Sequence, residues 1–421
     1  MILAPVSVIV VSRGRPDHLS LCLKALMAQD HSAFEIVLVA DTAGLNCCPE
    51  LPIKRVSFDQ PNISEARNLG LAMAAGKIVA FIDDDSVAEP TWLSRLTAPF
   101  AEPGVIAATG WTRDRDGFRW QSRSARMTTA GLPEALDHPG TDTLLIAPEN
   151  GAPVSTLGTN CAFRADTLRA IGGFDPAFPY HLDESDVNLR MAAALPEAMT
   201  AIVPMAQMIH ARAGSAQRDS ASVPQDMTMI GRSAAIFWRR YKAVPAPTAL
   251  LVRTRQRLLR HMLDGRLDPL RIKGILATLE SGLTAGHTAL LPAPPPARLD
   301  NPPPFLAVPP AQAGHVVFGG WHWQARSLRA LAGTAARAGK TATVILLTPS
   351  LLPHRVRYTA GGWFEQTGGL WGPSEPGDPV FMHWRLRERL DRETELSQAR
   401  RNSTTAPGVG ALRLFRNVEP A

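Results

Sequence analysis

Cysteine is scarce in this sequence: Cys22, Cys47, Cys48 and Cys161 are the only four in 421 residues. They have neither metal-ligand spacing nor a disulfide framework, which argues against a cysteine-held zinc site and a disulfide-stapled secreted fold and fits a reducing cytoplasm. Long apolar runs are missing too. No stretch reaches the roughly eighteen residues that a membrane-spanning helix needs. Met1 to Val11 is apolar, but it has no basic leader or small-residue cleavage site and runs into Ser12-Arg13-Gly14-Arg15-Pro16; it reads as a first strand and not as a signal peptide. Charge of one sign is modest. A net +6 suits an anionic small substrate or a membrane surface at least as well as nucleic acid, and no nucleic-acid motif or basic run with interleaved aromatics occurs.

The chain does have the apolar content of a globular protein, 45%, and enough length for two or three units. Val79-Ala80-Phe81-Ile82 reads as a buried strand ending in Asp83-Asp84-Asp85. Strand alternation sends Asp83 and Asp85 to one side and Asp84 to the other. Adjacent carboxylates repel, so the triplet is either a solvated turn or a site for Mg²⁺ or Mn²⁺ whose open positions take nucleotide phosphates.

Around it, Val6 to Val11, a helix from Asp17 to Ala28 and Phe34 to Ala40 form a βαβ unit, whose ligands lie beyond the strands' carboxyl ends. Ser12 and Asp41 converge there, Asp41 as a ligand for a base or ribose or as a capping residue. Asn62 to Gly70 opens a helix with Ser64 placed as N-cap and Arg67 in its first turn, where a cation opposes the helix dipole and a ligand contact becomes plausible. Arg113 to Ser155 loses periodicity and reads as a long loop that serves as a lid or binding surface, or is disordered. Gly172-Gly173 caps a helix from Asp166 to Ile171. Asp183-Glu184-Ser185-Asp186 then supplies more acids than capping of the next helix requires, and one of them facing a polyanion would be suited to take a proton from a hydroxyl. Ala201 to Ile209 is a strand ending at His210, either a hydrogen-bonded structural residue or a ligand. Thr228 to Tyr241 is a helix.

These segments, in this order, resemble the inverting, nucleotide-sugar-dependent glycosyltransferases of the family 2 type. The motifs are Val8 to Pro16, Asn62 to Gly70, the acidic strand end, Gly158 to Arg164 with Gly172 to Asp175, and Asp183 to Asp186 with Leu189-Arg190. The helix holding Arg232 to Tyr241 is similar to the closing element of many bacterial members. The resemblance covers residues 4 to about 241 and implies an α/β GT-A fold, a Rossmann-like mixed or parallel sheet flanked by helices. It implies a nucleoside-diphosphate sugar donor, a saccharide or lipid-linked saccharide acceptor, Mn²⁺ or Mg²⁺ as cofactor, and a place in cell-envelope or extracellular polysaccharide assembly. By its motifs Ser12, Arg15, Asp41, Arg67, Asp83 and Asp84 would bind the nucleotide, and Asp83, Asp85 and His210 would hold the metal. Glu184 would be the catalytic base, with Asp183 in reserve because the order is Asp-Glu where Glu-Asp is frequent. Thr42 and Ala43 stand where an acid usually follows Asp41, which leaves the base preference open.

The expected organisation is a glycosyltransferase domain at 1–241, a basic helical segment and proline-rich linker at 242–310, a small α/β domain of unknown role at 311–400 and a flexible tail at 401–421. Leu250 to Lys273 is amphipathic and basic, either docking on anionic lipid at the inner face of the membrane or a solvated helix face. Pro292 to Pro310 holds nine prolines and reads as a stiff linker. Trp321, Trp323, Trp363, Trp371 and Trp384 either stack on sugars or pack a core. A nucleotidyltransferase would also gather acids and a metal on a parallel sheet, although a convincing glycine-rich phosphate loop is missing. A non-catalytic sugar-nucleotide-binding scaffold is the third reading.

Overall fold

The computed structural model describes residues 4–138, 140–215, 217–309, 311 and 314–402. Strands β1 (Val6–Ser12), β2 (Phe34–Ala40), β3 (Lys54–Ser57) and β4 (Ile78–Asp83) alternate with helices α1 (Pro16–Leu26), α2 (Thr42–Leu45) and α3 (Ile63–Met73). The order β4-β1-β2-β3 is parallel throughout. Val8, Val10, Ile36 and Leu38 pack with Leu19, Leu23 and Leu26 of α1 on one face, and Ile9, Val37 and Phe81 with Leu71 of α3 on the other. Burial on both faces is why these strands read as unbroken apolar runs.

The sheet then becomes mixed. β5 (Ser86–Ala88), α4 (Trp92–Thr97) and β6 (Val105–Arg113) come next. The stretch expected to be a long loop carries four short strands, β7 (Trp120–Ser122), β8 (Ala125–Met127), β9 (Pro133–Ala135) and β10 (Leu144–Ile146). Three residues each are too few for a periodic signal; β7 is held by β6, β8 and β9 by each other and β10 by the distant β12. After β11 (Cys161–Arg164), α5 (Ala165–Ala170) and α6 (Asp183–Ala194), β12 (Met199–His210) completes a ten-stranded sheet. Its order is β10-β12-β6-β11-β4-β1-β2-β3, with β5 on β12 and β7 on β6. β11 runs antiparallel between β4 and β6, and β6 is parallel to β12. The architecture is the expected mixed sheet flanked by helices.

Two local expectations at α3 need correction. Asn62 is the N-cap, accepting from the Glu65 N–H, while Ser64 Oγ instead donates to the Phe178 carbonyl. Arg67 consequently lies in the second turn, where the dipole penalty on a cation has faded.

The basic segment is likewise two elements. Helix α7 (Thr228–Arg240) is followed by α8 (Pro247–Leu263) and α9 (Arg271–Thr288). Gly282 lets α9 cross α7 at backbone contact, since a Cβ there would lie 2.1 Å from the Thr228 carbonyl oxygen. The proline-rich stretch from 292 to 309 forms neither helix nor strand, as expected, but it is fastened to the first sheet's unit. Val308 N–H donates to Phe34 O at 2.8 Å, Leu306 N–H to Glu35 Oε2 at 2.8 Å and Lys54 Nζ to Pro303 O at 3.1 Å. Pro310 lies outside the described residues.

A second sheet follows, from β13 (His315–Trp321), α10 (Ala325–Arg337), β14 (Thr341–Thr348), β15 (Arg355–Tyr358), β16 (Phe364–Gly369) and α11 (Leu386–Arg401). Its order is β13-β14-β16-β15, parallel except for β15. Trp321, Trp371 and Trp384 pack beside Leu347 and Leu390, and Trp363 beside Leu346, so four of the five tryptophans serve the core. Trp323 is 63% exposed and stacks on Trp321. This sheet docks on the first through Val356 and Phe364 against Ile209 and through a buried ion pair between Arg401 and Glu89. Arg401 was assigned to a flexible tail; it ends α11 and is buried, whereas residues 403–421 lie outside the described residues.

Candidate active site

The acidic strand end divides as the alternation predicts. Asp83 and Asp85 face His210, the last residue of β12, which β5 pairing carries alongside. The three side chains each offer a ligand atom within 4.8 Å of the others. His210 Nε2 is 3.1 Å from Asp85 Oδ1 and 3.9 Å from Asp83 Oδ2. Both Nε2 and Asp85 Oδ1 are buried without a hydrogen-bond partner among the described residues, so their close approach lacks hydrogen-bond alignment. The other ring nitrogen, Nδ1, lies 2.9 Å from Gln121 Oε1. An amide oxygen can only accept, so Nδ1 donates to it and Nε2 is the nitrogen that faces the carboxylates. Two carboxylates and an imidazole nitrogen form a donor set suited to a divalent cation. Asp85 is further held by the Ala213 N–H at 2.6 Å, and although burial opposes its charge, His210, Arg15 and that N–H keep its carboxyl below the usual range.

Asp84 points away and is fully buried. It accepts from Ser12 Oγ at 2.7 Å and pairs with Arg15 at 2.6 Å, which fixes both β1-end residues against the acidic turn. Burial pushes its carboxyl up to about 7 despite Arg15. Asp41 has the capping character: Oδ1 caps α2 through Gly44 N–H at 2.8 Å, and Oδ2 accepts from Gly14 N–H at 2.7 Å. It thereby ties the β1 and β2 ends together at the crevice mouth.

Arg67 joins the two acidic groups. Its guanidinium is 3% exposed, bonded to Asp183, 2.9 Å from Glu184 Oε1 and 3.6 Å from Asp83 Oδ1, and it lies against the Phe174 ring. Leu182, in the left-handed region at φ 67°, turns the chain so that Asp183 and Glu184 open α6. The two carboxyls are unequal. Asp183 is sealed, and burial together with Glu184 raises it well above the ordinary range. Glu184 keeps its side chain 21% exposed, and Arg67 holds it ionised against the effect of burial. Gly158 makes the room: a Cβ there would lie 1.6 Å from Glu184 Oε1 and 2.4 Å from Arg67 Nη2. The third acid, Asp186, is structural, bound by Arg190 at 2.8 Å and by the Tyr241 hydroxyl at 2.7 Å.

The structure therefore brings Asp83, Asp85, His210, Arg67, Asp183 and Glu184 together, with Ser12, Arg15, Asp41 and Asp84 along the neighbouring strand ends. Sequence reasoning missed Gln121 and Thr159, whose Oγ1 accepts from Asp83 N–H at 3.3 Å and hydrogen-bonds with Ser86 Oγ at 2.6 Å. Thr159 sits beside Gly158 in a motif already singled out; Gln121 had no signal of any kind.

Residues 7–171 match the family model described as Glycosyl transferase family 2. This chain carries a glycosyl transferase family 2 domain. Over 187 residues it is 27% identical to the glucosyl-dolichyl phosphate glucuronosyltransferase of Haloferax volcanii, covering 40% of this chain and 56% of that protein. An uncharacterized glycosyltransferase of Nostoc sp. is 33% identical over 110 residues, 24% of this chain and 34% of that one. The chain spans at most 56% of the length of these curated relatives. Among solved structures, a mannosyltransferase from Pyrobaculum calidifontis in complex with GDP-Man and Mn²⁺ covers 68% of this chain and 88% of its own, with 15% identity and a TM-score of 0.43. Among the described residues no helix is long and apolar enough to cross a membrane.

Proposed function

We propose that this chain is a metal-dependent, inverting GT-A glycosyltransferase that moves a sugar from a nucleoside-diphosphate donor to a hydroxyl of a saccharide or lipid-linked saccharide, in cell-envelope or extracellular polysaccharide assembly. The observation that carries the reading is the Arg67 bridge, which sets an ionised, partly exposed Glu184 one guanidinium away from the Asp83–Asp85–His210 cluster. In the transfer, the acceptor oxygen bonds to the anomeric carbon from the side opposite the diphosphate. The bond from that carbon to the diphosphate oxygen breaks, its electron pair leaves with the nucleoside diphosphate, and the acceptor proton passes to Glu184. Asp183, bonded to Arg67, helps hold that guanidinium in place. Asp83, Asp85 and His210 would hold Mn²⁺ or Mg²⁺, which when bound supplies positive charge to a departing diphosphate. Ser12, Arg15 and Asp41 shape the wall that receives the nucleoside, and the buried Asp84 braces Ser12 and Arg15 behind it. The domain 1–241 performs this chemistry. The exposed cations of α8 with Leu263 at its end and Leu270 just before α9, 79% and 87% exposed, suit contact with an anionic membrane at the cytoplasmic face.

The test is product analysis of the full chain with nucleoside-diphosphate sugars and Mn²⁺. Release of free nucleoside diphosphate is expected, whereas pyrophosphate would mean nucleotidyl transfer. Glu184→Gln is expected to lower turnover at least about a hundredfold while nucleoside-diphosphate binding stays within about twofold. Full turnover in that variant would remove Glu184 from the role.

A further inference from the structure

Between the two sheets lies a cleft that the proposed transfer does not use. It consists of two adjoining cavities, about 590 and 740 Å³, which share Asp116, Arg119, Arg329, Arg355 and Thr367. The larger is lined by Thr348, Thr367 and Gly368 at the carboxyl ends of β14 and β16 and by His322 just past β13. That is the edge where open α/β sheets receive ligands. The smaller is walled on its far side by the β6–β7 turn, by Arg212 beyond β12 and by Arg266 beyond α8.

The chemistry of this lining is lopsided. Seven arginines face three carboxylates in the smaller cavity. Glu365 is consumed by Arg329 at 2.7 Å and Arg357 at 2.6 Å, and Asp116 Oδ1 by the turn's own N–H groups of Phe118 and Arg119 at 2.9 Å. Asp114 lies 3.4 Å from Arg212. Arg115 is positioned by neutral oxygens, the Ser220 carbonyl and the Ser222 hydroxyl; burial, with repulsion from Arg212, Arg266 and Arg218, lowers its pKa against the pull of Asp114, and Arg266 is itself bonded to Asp264. Mutually repelling guanidiniums around a cavity are stabilised by a multivalent oxyanion, which arginine binds through paired N–H donors. The cleft also touches the candidate active site. Arg212, strained at φ 52°, sits between Ala211 and Ala213, whose N–H groups bond the Asp85 carbonyl and carboxylate at 2.9 and 2.6 Å.

We propose that this arginine-lined cleft between the sheets is a metal-independent site for a phosphate or diphosphate group, and, resting on the glycosyltransferase reading, that the group belongs to the acceptor. The site would select a phosphorylated acceptor and seat it with its hydroxyl end toward Asp85 and Glu184.

The test is calorimetry on the full chain in chelator, with three probes: inorganic pyrophosphate, a sugar 1-phosphate, and a polyprenyl phosphate in neutral detergent micelles against the neutral polyprenol. At least one phosphate probe is expected to bind, and the tightest identifies the source of the group. Arg115→Ala is expected to weaken it at least tenfold. Since Arg115 also shapes its loop, the exposed Arg355→Glu serves as a second variant with the same expectation and an unchanged melting temperature. Binding of a nucleoside diphosphate with Mn²⁺, measured separately, is expected to stay within twofold in both variants. No phosphate binding without metal, or binding that neither variant alters, overturns the proposal. Phosphate binding that persists where the nucleoside diphosphate with Mn²⁺ does not bind would leave the oxyanion site standing and remove the glycosyltransferase reading instead.

Discussion

His210 depends on a single hydrogen bond for its usefulness as a ligand. Gln121 Oε1 accepts from Nδ1 at 2.9 Å and so turns Nε2 toward Asp85. Gln121→Leu keeps the side chain's bulk but removes the acceptor, so the ring can turn or exchange tautomers. Affinity for Mn²⁺, titrated on the full chain, is expected to fall about 10- to 100-fold, the usual effect of losing a ligand's outer partner. An unchanged affinity would mean that Gln121 does not orient the imidazole. The difference in legibility between these two residues has a physical origin. Asp83 and Asp85 were readable because strand alternation fixes side-chain direction over two residues, and their apolar strand announces itself. Gln121 lies on a three-residue strand, 89 positions from the histidine it serves, where only tertiary pairing decides direction. The inequality of Asp183 and Glu184 was equally hidden, because it comes from Arg67 and from the space left by Gly158, both distant in the chain.

At the scale of elements, α8 departs from the helices beside it. α7 and α9 cross at glycine contact, whereas α8 keeps Arg253, Arg255 and Arg260 in solvent and buries only Thr254, Leu258 and His261. Co-sedimentation with vesicles containing anionic lipid is expected. Arg253→Glu, Arg255→Glu and Arg260→Glu combined should lose more than about 3 kcal/mol of binding, at roughly 1 kcal/mol per basic residue removed. Retention by vesicles at that charge, or equal binding to neutral vesicles, would assign these arginines to solvation alone. The basic stripe was plain in the sequence, but the break within it was overlooked. Gly265 and Pro269 mark it, and Gly265 does adopt the left-handed conformation, at φ 68°, that ends the segment.

In the molecule as a whole, two long-range clasps convert separate sequence segments into one body. The proline-rich stretch has the composition of a spacer, and its residues 292–309 form neither helix nor strand, as such a composition demands. Its attachment to Phe34, Glu35 and Lys54 could not be inferred, since backbone carbonyls and N–H groups are the parts that bond and these are common to every sequence. The second clasp is α11. Arg401 spans to Glu89 at 2.7 and 3.0 Å with both side chains buried, lies over Phe364, and donates to Thr343 at 3.0 Å. Breaking one half of a buried ion pair leaves the other charged and unsolvated, a cost of about 3–5 kcal/mol, whereas replacing both by apolar residues is often near neutral. Arg401→Ala should therefore lower the stability of the second sheet's unit by that amount in urea unfolding followed by tryptophan fluorescence, which five of the nine tryptophans report from this region. Glu89→Leu with Arg401→Leu should recover most of the loss. If the double variant is as unstable as the single one, the contribution comes from the packing of Arg401 on Phe364 and not from its charge, and the docking of the two sheets rests on the Ile209, Val356 and Phe364 contact instead.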